Sequence, residues 1–132
     1  MPKNKQPEAE LQKAFWRWLS LTKRRDVVAF HVPNGGRRSP IEASIMKSMG
    51  VLPGVPDMVM VWQGQAYFLE LKAKKGKLTP IQVMMGEDLL RAGARVATAY
   101  SLDEAMHIVR SWDLIRLPMR VLAETAEGAV HG

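Results

Sequence analysis

Apolar residues recur along this chain at two different periods, and the switches between them divide it into elements. From Glu8 to about Lys23, Leu11, Ala14, Phe15, Trp18, Leu19 and Thr22 follow the spacing of an amphipathic helix, with Pro7 near its start. Val27 to Val32 reads as a strand, and Pro33 to Pro40 as a glycine-bearing basic loop. Ile41 to Met49 suits a short helix stopped by Gly50. Two apolar segments follow, Asp57 to Trp62 and Gln65 to Lys72, with Gln63-Gly64 between them as a two-residue hairpin turn. Thr79 can cap a helix that has Pro80 at its first position and runs to about Ala92, before Gly93. Arg95 to Tyr100 is strand-like, and Ser101 can cap a last helix reaching Trp112, with Asp103 and Glu104 in its first turn. This order of elements predicts an α/β fold, a mixed central sheet flanked by helices. Val83, Leu89 and Leu90 are expected to make much of the core with the first helix, and Met84 and Met85 to fill it.

Closing the hairpin at Gln63-Gly64 pairs Trp62 with Gln65. Counting outward sets Asp57 opposite Glu70, with Cβ atoms about 4.5–5.5 Å apart. Lys72 lies two residues further on and shares that face. A three-residue loop would instead set Asp57 opposite Leu71 and part the carboxylates. Two opposed carboxylates repel unless a cation lies between them, and hard oxygen donors suit Mg²⁺ or Mn²⁺. Such an ion beside a lysine suits phosphodiester hydrolysis: the ion polarises the phosphoryl group and the ammonium offsets developing charge. The same residues would also serve as an ordinary solvated Glu/Lys face. Gln82, in the first turn of the helix after Thr79, can reach back toward the Lys72 end of the strand.

These motifs resemble a stand-alone virus-type replication-repair nuclease (VRR-NUC) domain of the PD-(D/E)XK superfamily. The matching blocks are Glu8-Ala9-Glu10-Leu11-Gln12, the stretch from His31 to Arg37, the stretch from Met49 to Asp57, the stretch from Glu70 to Gly76, and Gln82. The resemblance implies a restriction-endonuclease-like core over residues 1–116, with 117–132 as an arm or flexible tail. It further implies metal-dependent DNA cleavage, often at branched structures such as Holliday junctions, in replication, repair or recombination. Asp57 and Glu70 match the metal-binding acids, with the Leu71 carbonyl as a further candidate ligand, Lys72 the catalytic lysine and Gln82 the helix glutamine. The family places a further acid on the first helix. At about 100° per residue Glu8 falls at the edge of the apolar stripe and Glu10 points away. Glu8 also stands four residues before Gln12, so it is favoured as the residue that leans over the sheet and steadies a water beside the metal. Both acids would also favour the positive end of the helix dipole.

Charge and composition narrow the partners. The 132-residue chain carries a net charge of +6, which points to a polyanion, though many solvated surfaces are basic. Asn34, Arg37 and Arg38 sit in a glycine-bearing loop suited to gripping phosphates, and Lys74, Lys75 and Lys77 follow the second strand. No side-chain pattern promises base reading, so recognition by shape and backbone charge is expected, weakening as salt rises. Trp16 lies off the apolar stripe, which suggests a subunit contact, stacking on a base, or cover by the C-terminal tail. Cysteine is absent, which removes disulfides and zinc-thiolate sites, and the three histidines lack paired ligand spacing. There is no apolar run of membrane-spanning length and no signal-peptide pattern, so a cytoplasmic setting, in a bacterium or a phage-infected cell, is expected. Cutting both strands of a symmetric junction needs two sites, so a homodimer is expected, with a helicase or replication partner as a further possibility. Alternatives are flap, single-strand or end-directed cleavage by the same fold, or a non-catalytic or partner-dependent DNA-binding module.

Overall fold

The computed structural model describes residues 7–33 and 38–116. The expectations for Asn34, Arg37 and the 117–132 arm lie outside the described residues. The element order is α1 (Pro7–Thr22), β1 (Val28–His31), α2 (Pro40–Ser48), β2 (Met58–Trp62), β3 (Gln65–Leu71), α3 (Pro80–Arg91), β4 (Arg95–Ala99) and α4 (Leu102–Ser111). The four strands form one sheet in the order β1-β2-β3-β4. The first three are antiparallel, and β4 runs parallel to β3 after the α3 crossover. The architecture is α/β, with a mixed sheet flanked by helices, as the pattern of periods implied.

The hairpin has the two-residue turn. Gln63 (φ 48°) and Gly64 (φ 77°) both lie in the left-handed region, as a type I′ turn requires. Trp62 pairs with Gln65 and Met58 with Leu69, so the register continues outward to Asp57 and Glu70. Ser39 and Thr79 each close a capping box, with Glu42 and Gln82 respectively, which explains why α2 and α3 start where they do.

Strand alternation sorts the sheet into two faces. Met58, Met60, Tyr67, Leu69, Leu71 and Ala99 are buried on one, under Phe15 and Leu19 of α1 and Ala105 and Val109 of α4. That is the core. Asp57, Glu70, Lys72 and Thr98 lie on the other face, with Val28, Phe30, Val59, Val61, Phe68 and Val96 further along it. Helix α3 covers part of this second face but buries none of its residues fully. The expectation for α3 is corrected here: Val83 and Leu90 are exposed, at 42% and 53%, and Leu89 is only partly buried. Met84 is exposed as well, and Met85 is partly buried. Helical spacing marks an apolar stripe but not the depth to which its partner layer receives it, and α3 packs chiefly against β4, at the end of the sheet. Among the described residues, no helix is long and apolar enough to cross a membrane.

Candidate active site

The site forms where β2 begins and β3 ends. Rigid backbone precedes it: Pro53-Gly54-Val55-Pro56 brings the chain past α3 into Asp57. Gly54 takes φ +85°, and a Cβ there would lie 2.7 Å from the Ile81 carbonyl oxygen, so only glycine lets this loop press against the first turn of α3. The Asp57 carbonyl accepts the Val32 N–H at 2.7 Å, which anchors the residue to the end of β1.

The Asp57 carboxylate is itself oriented. Its Oδ2 accepts the main-chain N–H of Leu71 at 2.8 Å. Glu70 is buried at 5% exposure, and Lys72 beside it at 9%. The Lys72 Nζ stands 4.0 Å from Glu70 Oε2. Gln82 bridges helix and strand with one carboxamide: Oε1 accepts the Thr79 N–H at 2.9 Å, and Nε2 donates to Glu70 Oε2 at 3.3 Å. Asp57, Glu70, Lys72 and Gln82 are therefore brought together, with Leu71 contributing its N–H to the group. A small hollow of about 160 Å³ opens beside Glu70, between α3 and the second sheet face, with Gln82, Val96 and Thr98 among its walls.

Burial pushes the Glu70 carboxyl up to about 8, and the neighbouring Asp57 carboxylate adds to that rise. Lys72 and the Asp57 main chain pull the other way without cancelling it. A carboxyl so disfavoured as an anion, facing a second acid, would be relieved by a cation placed between the two. The donors are hard oxygens and few, which fits Mg²⁺ or Mn²⁺, since these ions complete their shells with water and substrate phosphate. Asp57 and Glu70 are the residues that would hold it.

The remaining residues from the sequence reading lie around this centre. Among the described residues no three His, Cys, Asp or Glu side chains cluster tightly enough to hold a metal ion, so Glu8 stands outside the acid pair. Its Oε2 lies instead near Gly76, 3.5 Å from where a Cβ on that residue would be, beside the turn that follows Lys72. Glu8 and Glu10 are both exposed on α1. Lys74, Lys75 and Lys77 are exposed on or just beyond that same turn. Arg38 is exposed just before α2 and lines a hollow of about 210 Å³ with Lys47 and Pro53. Lys47 was not singled out in the sequence, because a lone lysine on a short helix carries no pattern. In the sequence His31 is only part of a motif; its Nδ1 lies 2.9 Å from the Asp57 carbonyl oxygen, a contact that only the β1/β2 register reveals.

Neither a family model nor a curated protein matches the chain. Solved structures do. One described as a VRR_NUC domain protein is similar at a TM-score of 0.64 and 22% identity, covering 82% of this chain and 89% of its own. Another, described as a VRR_NUC domain, reaches a TM-score of 0.55 at 19% identity, over 79% of this chain and 95% of its own. The chain has the fold of these VRR_NUC domains, over most of its length and nearly all of theirs.

Proposed function

We propose that this protein is a Mg²⁺- or Mn²⁺-dependent DNA endonuclease that hydrolyses phosphodiester bonds, with preference for branched DNA such as a four-way junction. One observation carries the reading: Asp57 and a buried, charge-disfavoured Glu70 face each other with Lys72 Nζ 4.0 Å from Glu70. A divalent ion bound there supplies Lewis-acid polarisation of the phosphate and a more acidic water. The chain's own residues do the rest. The Leu71 N–H fixes one Asp57 oxygen, so the other is presented in a set direction. Gln82 holds Glu70 Oε2 from the helix side. Lys72, shielded from solvent, offsets negative charge that builds on the phosphate as water attacks. Glu8, whose carboxylate lies near the Gly76 turn, would steady a water at the edge of the site.

Basic residues support a DNA substrate. Lys74, Lys75 and Lys77 project beyond Lys72, and Arg38 with Lys47 flanks the loop entering Asp57. These suit phosphates on both sides of the acids. A junction presents two symmetric cuts and the described residues of each chain hold one such acid pair, so the active form is a homodimer. The setting is cytoplasmic, in replication, repair or recombination.

The test is a panel of labelled DNAs, comprising a four-way junction, flap, fork, duplex and single strand, incubated in Mg²⁺, Mn²⁺ or EDTA. Wild type should nick the junction symmetrically in either metal, and EDTA or Lys72→Ala should stop it. Cleavage confined to flaps or ends would replace the junction reading. Binding without any cleavage by folded wild type would overturn the enzymatic one.

A further inference from the structure

A second concavity, of about 250 Å³, lies on the other side of the sheet's active end, lined by Gln12, Lys13, Trp16 and His31. It is smaller than the roughly 300–1,000 Å³ of pockets that enclose drug-sized ligands, so it suits a single ring system. Its walls are unlike those of the core. Trp16 is 40% exposed and is not among the residues packed against the core. Gln12 donates its amide to the Met58 thioether at 3.0 Å, a weak acceptor, and among the described residues its carbonyl has no hydrogen-bonded partner. Lys13 is exposed at the rim. His31 connects the pocket to the acids: if its Nδ1–H donates to the Asp57 carbonyl at 2.9 Å, Nε2 is left as an acceptor for whatever enters. A flat aromatic face, an amide with an unused oxygen, an imidazole acceptor and a cation at the edge match the π-face, polar rim and phosphate of a nucleotide.

The geometry points to a nucleotide-binding pocket at Trp16, which takes one unstacked base of the DNA strand whose backbone passes Asp57. This rests on the nuclease reading for its ligand and adds to it a reason for choosing branched DNA. A base in continuous duplex is stacked on both sides and cannot enter, whereas a base at a branch or in a single strand is already free. Selectivity would then come from the cost of unstacking, not from reading base identity.

The experiment measures binding of wild type, Trp16→Ala, Trp16→Phe and Lys13→Ala to single-stranded, four-way-junction and duplex DNA in EDTA, across a salt series. Trp16→Ala should weaken single-strand and junction binding by about tenfold, the usual scale of one base stacked on an aromatic ring, and leave duplex binding unchanged. Trp16→Phe should recover most of the loss. The salt dependence should keep its slope in Trp16→Ala, because stacking releases no counterions, and drop by about one in Lys13→Ala. A single abasic site scanned along the strand should weaken wild type at one position and leave Trp16→Ala indifferent there. An equal loss on duplex, no loss at all, or a change in molecular mass by light scattering in Trp16→Ala would overturn the pocket, the last by making Trp16 a subunit contact. The two readings fail separately. Trp16-dependent discrimination without metal-dependent cleavage supports the pocket and overturns the enzyme. Lys72-dependent cleavage with Trp16→Ala indistinguishable from wild type does the reverse.

Discussion

The two faces of this sheet are made by the same strands and do opposite work. Under α1 and α4, Met58, Met60, Leu69 and Leu71 are fully or almost fully buried. On the other face Val28, Phe30 and Val61 are exposed at 61%, 46% and 38%, Val59 between them and the site is buried, and the charged residues Asp57, Glu70 and Lys72 sit at its end. Packing on the first face holds the strands in register, and the second face receives that register as a fixed placement of charge. A site that opposes two acids stores repulsion once both are ionised, and the filled face is what holds it together.

Four substitutions or conditions would break or sharpen that contrast. The largest stability loss is expected on the filled face: Leu69→Ala should cost about 2–5 kcal/mol by urea unfolding, since the void has rigid walls. Next, on the charged face, Lys72→Met should lower cleavage by about 10²–10³-fold with the urea midpoint little changed, the scale for losing one preorganised charge-stabilising group. Should Lys72→Met unfold the protein instead, the division of labour between faces fails. Third comes pH. The Glu70 carboxyl loses its proton near 4.5 in the unfolded chain and near 8 in the folded one. Its contribution to stability is therefore complete below about 4.5 and is lost as pH rises to about 8. Metal-free protein should show a falling thermal midpoint over that window, Glu70→Gln should flatten the slope, and Mn²⁺ should restore the midpoint at the alkaline end only in wild type. The smallest effect is expected from Val61→Thr on the open face, within about 0.5 kcal/mol, checked in the same urea titration as Leu69→Ala.

How much of this was legible in the sequence differs by element. The hairpin was legible because a two-residue turn leaves no freedom of register, and register alone puts Asp57 across from Glu70. The capped start of α3 was legible because Thr79 and Pro80 mark it chemically, whereas α2 was placed one residue late, at Ile41, with its Ser39 cap unread inside the preceding basic loop. The burial of α3 was not, since an apolar stripe on a helix carries no information about how far the sheet extends beneath it. Val83 and Leu90 face a half-covered surface, whereas Phe15 and Leu19 of α1, with a similar stripe, are wholly enclosed. The placement of Glu8 near Gly76, and not among the acids, depends on where α1 crosses the sheet, which no local pattern encodes. The contacts of Gln12 with Met58 and of His31 with Asp57 join residues 46 and 26 positions apart, and only the folded register creates them.

The Gln82 carboxamide ties two timescales together. Its Oε1 holds the Thr79 amide and its Nε2 touches Glu70, so when the first turn of α3 frays, Glu70 loses that hold. The exchange of the Thr79 and Gln82 amides with deuterated water is then a clock for the site as well as for the helix. Slower exchange when a divalent ion binds would mean that the start of α3 is an ordering event within the catalytic cycle. Unaltered exchange would mean that the helix end is set before metal arrives.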